Sequence, residues 1–149
     1  MIGCRCTILF ILLFFAVGSV TRASDNPPVK YLGIEQGLSN NAVTSVYQDA
    51  KGFLWFGTYD GLNRYDGYNF IVYRNVIGDS TSLAFNNVNT VTGDGRGNIW
   101  AGGQKGISIL DPVTSTFSIP WYLPLNGNTL RTARENVHIL RAAGDDYIL

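Results

Sequence analysis

Few residues in this chain could do chemistry, and most of them recur. Asp49 and Asp94 each stand three residues before a glycine (Gly52, Gly97) and six before a tryptophan (Trp55, Trp100). A carboxylate in such a turn has two uses. It can ligate calcium, but calcium takes about six to eight oxygens and each turn offers one carboxylate. It can also cap backbone N–H groups of a tight hairpin as an Asx turn, and the spacing favours this reading. Trp55 and Trp100 could stack on sugar rings. An indole repeated once per structural unit points instead to core between units. His138 is the single histidine and falls in a segment that reads as a strand. With no second histidine, and no cysteine beyond Cys6, a zinc site is not supported. One histidine on a strand is equally thin ground for a nucleophile–base pair. No glycine loop has phosphate-binding spacing ahead of a helix. The sequence therefore assigns no catalytic, cofactor-binding or metal-binding residue.

One stretch stands outside the recurring pattern. Ile119–Asn128, IPWYLPLNGN, sets Trp121 and Tyr122 between Pro120 and Pro124. Paired aromatics can stack on sugar rings or bury in a partner. They can also cover the outer edge of a sheet and block unwanted pairing. Trp121 and Tyr122 are the candidate ligand contacts, with the covering role as the alternative.

The elements that position these residues follow from the recurrence itself. Shifted by 45 positions, Leu38 falls on Leu83, Asn41 on Asn86, Val43 on Val88 and Val46 on Val91. Asp49 then falls on Asp94, Gly52 on Gly97, Trp55 on Trp100, Gly57 on Gly102, Gly61 on Gly106 and Asp66 on Asp111. Ten matches in 29 positions, with no gap, mark an internal repeat. A period near 45 is that of a propeller blade. A third copy starts near Asn136, with Val137 on Val88 and Ile148 on Ile99, a spacing of 49.

Each copy resolves into four short strands. In the first, Ala42–Gln48, Phe53–Thr58, Leu62–Tyr65 and Asn69–Tyr73 are separated by turns that carry Gly52, Gly61 and Gly67. Short strands joined by Gly-containing turns predict an antiparallel meander. Thr129–Leu140 has room for a helical turn or two at most. The fold class is all-β: four-stranded propeller blades, in an incomplete propeller that follows an N-terminal signal peptide.

That signal peptide is read at residues 1–23. MIGCRC supplies Arg5, ILFILLFFAV is apolar but short for a membrane span, and Thr21-Arg22-Ala23 offers a cleavage site. An uncleaved anchor is the alternative. Cys4 and Cys6 lie inside it, so the exported chain would hold no disulfide. Losing Arg5 and Arg22 leaves nine basic residues against eleven acidic ones. With 46% hydrophobic and 15% charged residues the composition is globular, and no basic face invites nucleic acid. The expected organisation is a lead-in at 24–37, repeat 1 at 38–82, repeat 2 with a longer linker at 83–131, and the start of repeat 3 at 132–149.

KYLGIEQGLSNNAVTSVYQDAKGFLWFGTYDGLNRYDGYNFIVY resembles the first repeat of the two-component regulator propellers. The elements that carry the likeness are Gly37-Leu38-Ser39, Val43, Asp49, Gly52, Trp55, Gly57-Thr58, Gly61-Leu62 and Tyr65-Asp66-Gly67. It extends over about Val29 to Pro120. The second copy departs at Gly103, where the family usually has Thr, and at Gln104-Lys105. The third has Ala143 in place of the repeat Asp.

The resemblance implies a periplasmic sensor region of a hybrid two-component regulator of the Bacteroidota type. Its full-length form would sit in the inner membrane and carry a histidine kinase. Its partners would be an oligosaccharide ligand, the rest of the ectodomain and a second copy in a homodimer. No cofactor is implied. The chain itself would be no enzyme, its kinase lying downstream. The alternatives are a propeller enzyme of the streptogramin-lyase type and a structural docking propeller. On physical grounds, two blades and a fraction leave open sheet faces, so the segment alone is expected to be marginal or prone to aggregate.

Overall fold

A computed structural model describes residues 29–122, 131–132, 134, 136–138, 141–143 and 146–148. The signal peptide read at 1–23 and the whole stretch from 123 to 130 lie outside the described residues. No helix among the described residues is long and apolar enough to cross a membrane. Residues 31–149 form one compact unit.

Two four-stranded antiparallel sheets dominate that unit. Blade one is β1 (Val43–Gln48), β2 (Leu54–Thr58), β3 (Gly61–Tyr65) and β4 (Phe70–Tyr73), in the order β1-β2-β3-β4. Blade two is β5 (Val88–Gly93), β6 (Ile99–Gly103), β7 (Gly106–Asp111) and β8 (Thr116–Ser118), in the order β5-β6-β7-β8. Sequence neighbours pair throughout, the meander of a propeller blade. A 3-10 turn at Ile34–Gln36 leads into blade one. Two hairpins follow blade two: β9 (Trp121–Tyr122) with β10 (Arg131–Thr132), and β11 (Arg141–Ala143) with β12 (Asp146–Ile148).

Two sequence expectations change here. Arg131–Thr132 is a strand, so the helical turn considered for that stretch is not formed there. His138 lies outside any strand and is exposed; Val137 before it turns inward to blade two, leaving the histidine to solvent.

The turn chemistry explains the strand ends. Asp49 Oδ1 accepts hydrogen bonds from the Lys51 and Phe53 amides at 2.9 and 3.0 Å. Asp94 Oδ1 does the same for Arg96 and Asn98, at 2.9 and 2.8 Å. These are Asx turns, as the spacing predicted. Gly52 and Gly97 close them with φ of 86° and 89°, a left-handed conformation that costs other residues free energy.

The core lies between the two sheets. Trp55 and Leu62 of blade one bury against Leu83, Val88, Val91 and Ile99, all within or leading into blade two. Trp55 has no exposed surface and stacks on Tyr73 at 6.0 Å between ring centroids. Burying a large apolar side chain contributes about 1.5–3 kcal/mol, so this seam supplies most of what holds the blades together. Gly57 permits the close approach, because a Cβ there would lie 2.9 Å from Val88 Cγ1. Trp100, the repeat partner of Trp55, is half-buried and packs beside Ile107 and Val137, where the third copy begins.

Each inner strand carries the same irregularity. Register shifts between Val43 and Ser45, and again between Val88 and Thr90, making Thr44 and Asn89 bulge residues. A bulge re-aims its side chain. Thr44 Oγ1 donates to the Val88 carbonyl at 2.6 Å, and Asn89 Nδ2 donates to the Val137 carbonyl at 2.9 Å. Val88 and Val137 occupy the same repeat position. Side-chain hydrogen bonds from the bulges thus help set each blade against the next, joined at the first junction by Ser45 Oγ, which accepts from the Val91 amide at 3.0 Å, and at the second by Asn136 Oδ1, which accepts from Asn89 Nδ2 at 3.2 Å.

Candidate functional site

The strand registers bring the start of β1, the β2–β3 turn and the end of β4 to one end of the blade. The linker to the next blade meets that end, where the Gly61 amide donates to the Asn86 carbonyl at 2.7 Å. In blade one the corner is filled by a polar network. Asn63 is fully buried; its Oδ1 accepts from the Ser39 amide at 2.9 Å and its Nδ2 donates to Ser39 Oγ at 2.8 Å. Ser39 Oγ lies 2.8 Å from Thr58 Oγ1, which in turn donates to the Gly61 carbonyl at 3.0 Å. These hydrogen bonds offset the desolvation of the buried amide and fix the lead-in against the blade.

Asp60 and Arg74 cap the corner with an ion pair of 2.9 Å. Both side chains are nearly half exposed, so the pair contributes about 0–1 kcal/mol. The corresponding corner of blade two is open, a cleft of about 270 Å³. Neither corner was singled out from the sequence. The signal was present in the departures at Gly103 and Gln104-Lys105, which stand at this turn.

The residues that the sequence did single out divide into two groups. Asp49 and Trp55 meet: Trp55 Nε1 donates to Asp49 Oδ2 at 2.8 Å. Asp94 and Trp100 repeat the contact at 3.1 Å. Trp55 is buried against blade two, and Trp100 is half-buried beside Ile107 and Val137. Desolvation pushes the Asp94 carboxyl up, but hydrogen bonds from Asn98, Trp100 and Arg96 outweigh it and hold it below its ordinary value. Trp121 stands on β9 and is 68% exposed; its backbone pairs with Thr132, that of Tyr122 with Arg131. Trp121 is thus available to solvent and is not part of either four-stranded sheet.

The comparisons with known proteins fit this architecture. Residues 37–60, from the lead-in through the Asp–Trp hairpin, match the two-component regulator propeller model. Over those residues the chain is similar to the two-component regulator propellers. The extracellular domain of a hybrid two-component system from B. thetaiotaomicron is 40% identical, with a TM-score of 0.59, over 70% of this chain and 15% of that one. A second extracellular domain of a hybrid two-component system from the same organism is 27% identical, with a TM-score of 0.53, over the same shares. Histidine kinase P4 of Formosa agariphila is 42% identical over 74 residues, which are 50% of this chain and 5% of that protein. The chain therefore spans a small part of the proteins it matches. What it resembles is a sensor ectodomain propeller, not a catalytic domain.

Proposed function

We propose that this chain is part of a periplasmic ligand-sensing propeller of a hybrid two-component regulator. On this reading it is exported by a cleaved signal peptide, detects oligosaccharides, and passes the signal within a homodimer to a histidine kinase encoded downstream. The observation that carries the reading is the two-component regulator propeller repeat at residues 37–60, set in a blade that superposes on a solved extracellular sensor domain at 40% identity. The open cleft at blade two and the exposed Trp121 supply surface that a saccharide could use.

Sequencing the gene past codon 149 tests the first half. Further 45-residue repeats, a membrane span and a kinase are expected. A closed propeller with clustered histidines and no span would favour a lyase instead. Titrating oligosaccharides into the exported region tests the second half. Saturable binding of one glycan class is expected, and no binding across a broad glycan panel would remove the sensing role.

A further inference from the structure

The two blades differ most at the corner where the β2–β3 turn meets the linker, and the differences all run one way. Asn63, Ser39 and Thr58 fill that corner in blade one. Their repeat partners are Ser108, Ala84 and Gly103. An amide and two hydroxyls give way to one hydroxyl, and a cleft of about 270 Å³ opens beside Ala84 and Ser108. Ser108 lines it and is fully buried. The one hydrogen bond described for its Oγ is accepted from the Ala84 amide at a long 3.4 Å, which leaves the hydroxyl proton to donate. Gly103 cannot simply regain the threonine, because a Cβ there would run into the Asn87 carbonyl and the Phe85 ring. The lead-in thus fills the position of Thr58 itself, and the cleft lies beside it, at Ala84 and Ser108.

Charge changes in the same place. The Asp60–Arg74 pair of blade one becomes Lys105 and Ile119 in blade two. Lys105 and Arg134 both line the cleft, and neither has an ion-pair partner among the described residues. Asp79 is the acid on its wall. Its Oδ1 is already engaged by the Thr81 amide and hydroxyl at 2.8 and 2.6 Å, inside its own loop. Among the described residues the cleft is thus lined by two cations without an ion pair and by one ionised carboxylate, held by its own loop through Oδ1, which leaves a net positive charge.

We infer that this cleft binds an anionic group, a carboxylate or sulfate carried on a saccharide. The anionic part stands on the geometry; the saccharide part rests on the function proposed above. Charge-assisted hydrogen bonds from Lys105 and Arg134 hold the anion, above a floor that includes the buried Ser108. Drug-sized pockets run from about 300 to 1,000 Å³, so the cleft suits one acidic sugar unit rather than a chain.

The test uses the natural gene product's exported region, ¹⁵N-labelled and titrated separately with sodium glucuronate, sodium acetate, sodium sulfate and glucose. Glucuronate is expected to shift the amide resonances of Ala84, Lys105 and Ser108, and glucose to leave them in place. Lys105→Asp, which restores the acid of blade one, is expected to weaken glucuronate at least about tenfold, roughly one charged contact. Ser108→Asn refills the corner and is expected to do the same with the rest of the spectrum intact. Should Lys105→Asp disturb the fold, Lys105→Gln gives the charge-neutral reading of the same contact. Acetate binding as tightly as glucuronate would overturn the saccharide part. Sulfate binding alone would move the assignment to a bare oxyanion and overturn it likewise. Shifts that are absent, or unchanged in the variants, overturn the anion site, even where neutral oligosaccharides bind elsewhere and the sensing function stands. An intact anion response with no saccharide binding anywhere removes the sensing function instead.

Discussion

Trp55 Nε1 donates a 2.8 Å hydrogen bond to Asp49 Oδ2, and 45 residues on Trp100 donates one of 3.1 Å to Asp94. The carboxylate works in two directions. One oxygen holds the hairpin turn through two backbone amides, and the other takes the indole proton. The turn and the inter-blade core are therefore one unit. The Asp six residues before the Trp is the smallest sequence sign of it.

Removing Asp49 should therefore cost more than a surface turn. Asp49→Ala strands a buried indole N–H and two turn amides, and a buried unsatisfied donor costs about 1–3 kcal/mol. Asp94→Ala should cost less, because Trp100 is only half-buried. Urea midpoints of both variants in the exported region check the order. Equal losses would mean that the indole bond contributes nothing beyond the turn.

Acid should loosen the same turns. Hydrogen bonds hold the Asp66, Asp79 and Asp111 carboxyls below their ordinary value of 3.8, and Asp94 is lowered despite desolvation. A carboxyl with a lowered folded pKa binds fewer protons folded than unfolded. Its stabilisation is thus present above the unfolded value, and is lost as pH falls through the folded one. Urea midpoints should stay level from about pH 7 to 5 and drop below about pH 4. Asp94→Asn should shrink that drop. A rise in stability on acidification would contradict the assignment.

Much of this was legible in sequence, for a physical reason. Turns depend on local chemistry, so Asp49, Gly52 and Asp94 announced them, and the apolar alternation between them announced the strands. The seating of Trp55 in the seam followed from its recurrence once per blade. The corner of blade two was not legible. It is made by residues 24 positions apart, Ala84 and Ser108, and neither is unusual alone. Only the filled corner of blade one shows what is missing. The bulges at Thr44 and Asn89 were hidden likewise, because a register shift leaves no mark on composition.

The seam itself can be tested by crowding. Gly93 lies under the Tyr47 ring, and a Cβ there would meet the ring carbons and hydroxyl. A rigid ring between sheets cannot yield as a flexible side chain would. Gly93→Ala should destabilise by about 1–3 kcal/mol, the usual cost of overpacking. Tyr47→Ala alone should also cost stability by leaving a cavity. The double variant should lose less than the two costs added, since each change relieves the other. Additive losses would show that the two residues do not touch in solution.

The last prediction concerns the face of blade one that no described residue covers. Val88 and Val91 are 0% and 6% exposed, whereas their repeat partners Val43 and Val46 are 41% and 56% exposed. The four valines occupy two repeat positions, so the difference is made by the neighbour and not by the strand. Blade one covers the valines of blade two; those of blade one are left open by the described residues. In the 149-residue chain, Val91→Asp should unfold the seam, because it buries an unpaired charge, and Val46→Asp should be nearly silent. That chain should also self-associate through the open face, and Val46→Asp should reduce this in sedimentation velocity. In a product whose further blades close the ring, Val46→Asp should become as damaging as Val91→Asp. If Val46→Asp stays silent there too, the ring does not close on this face.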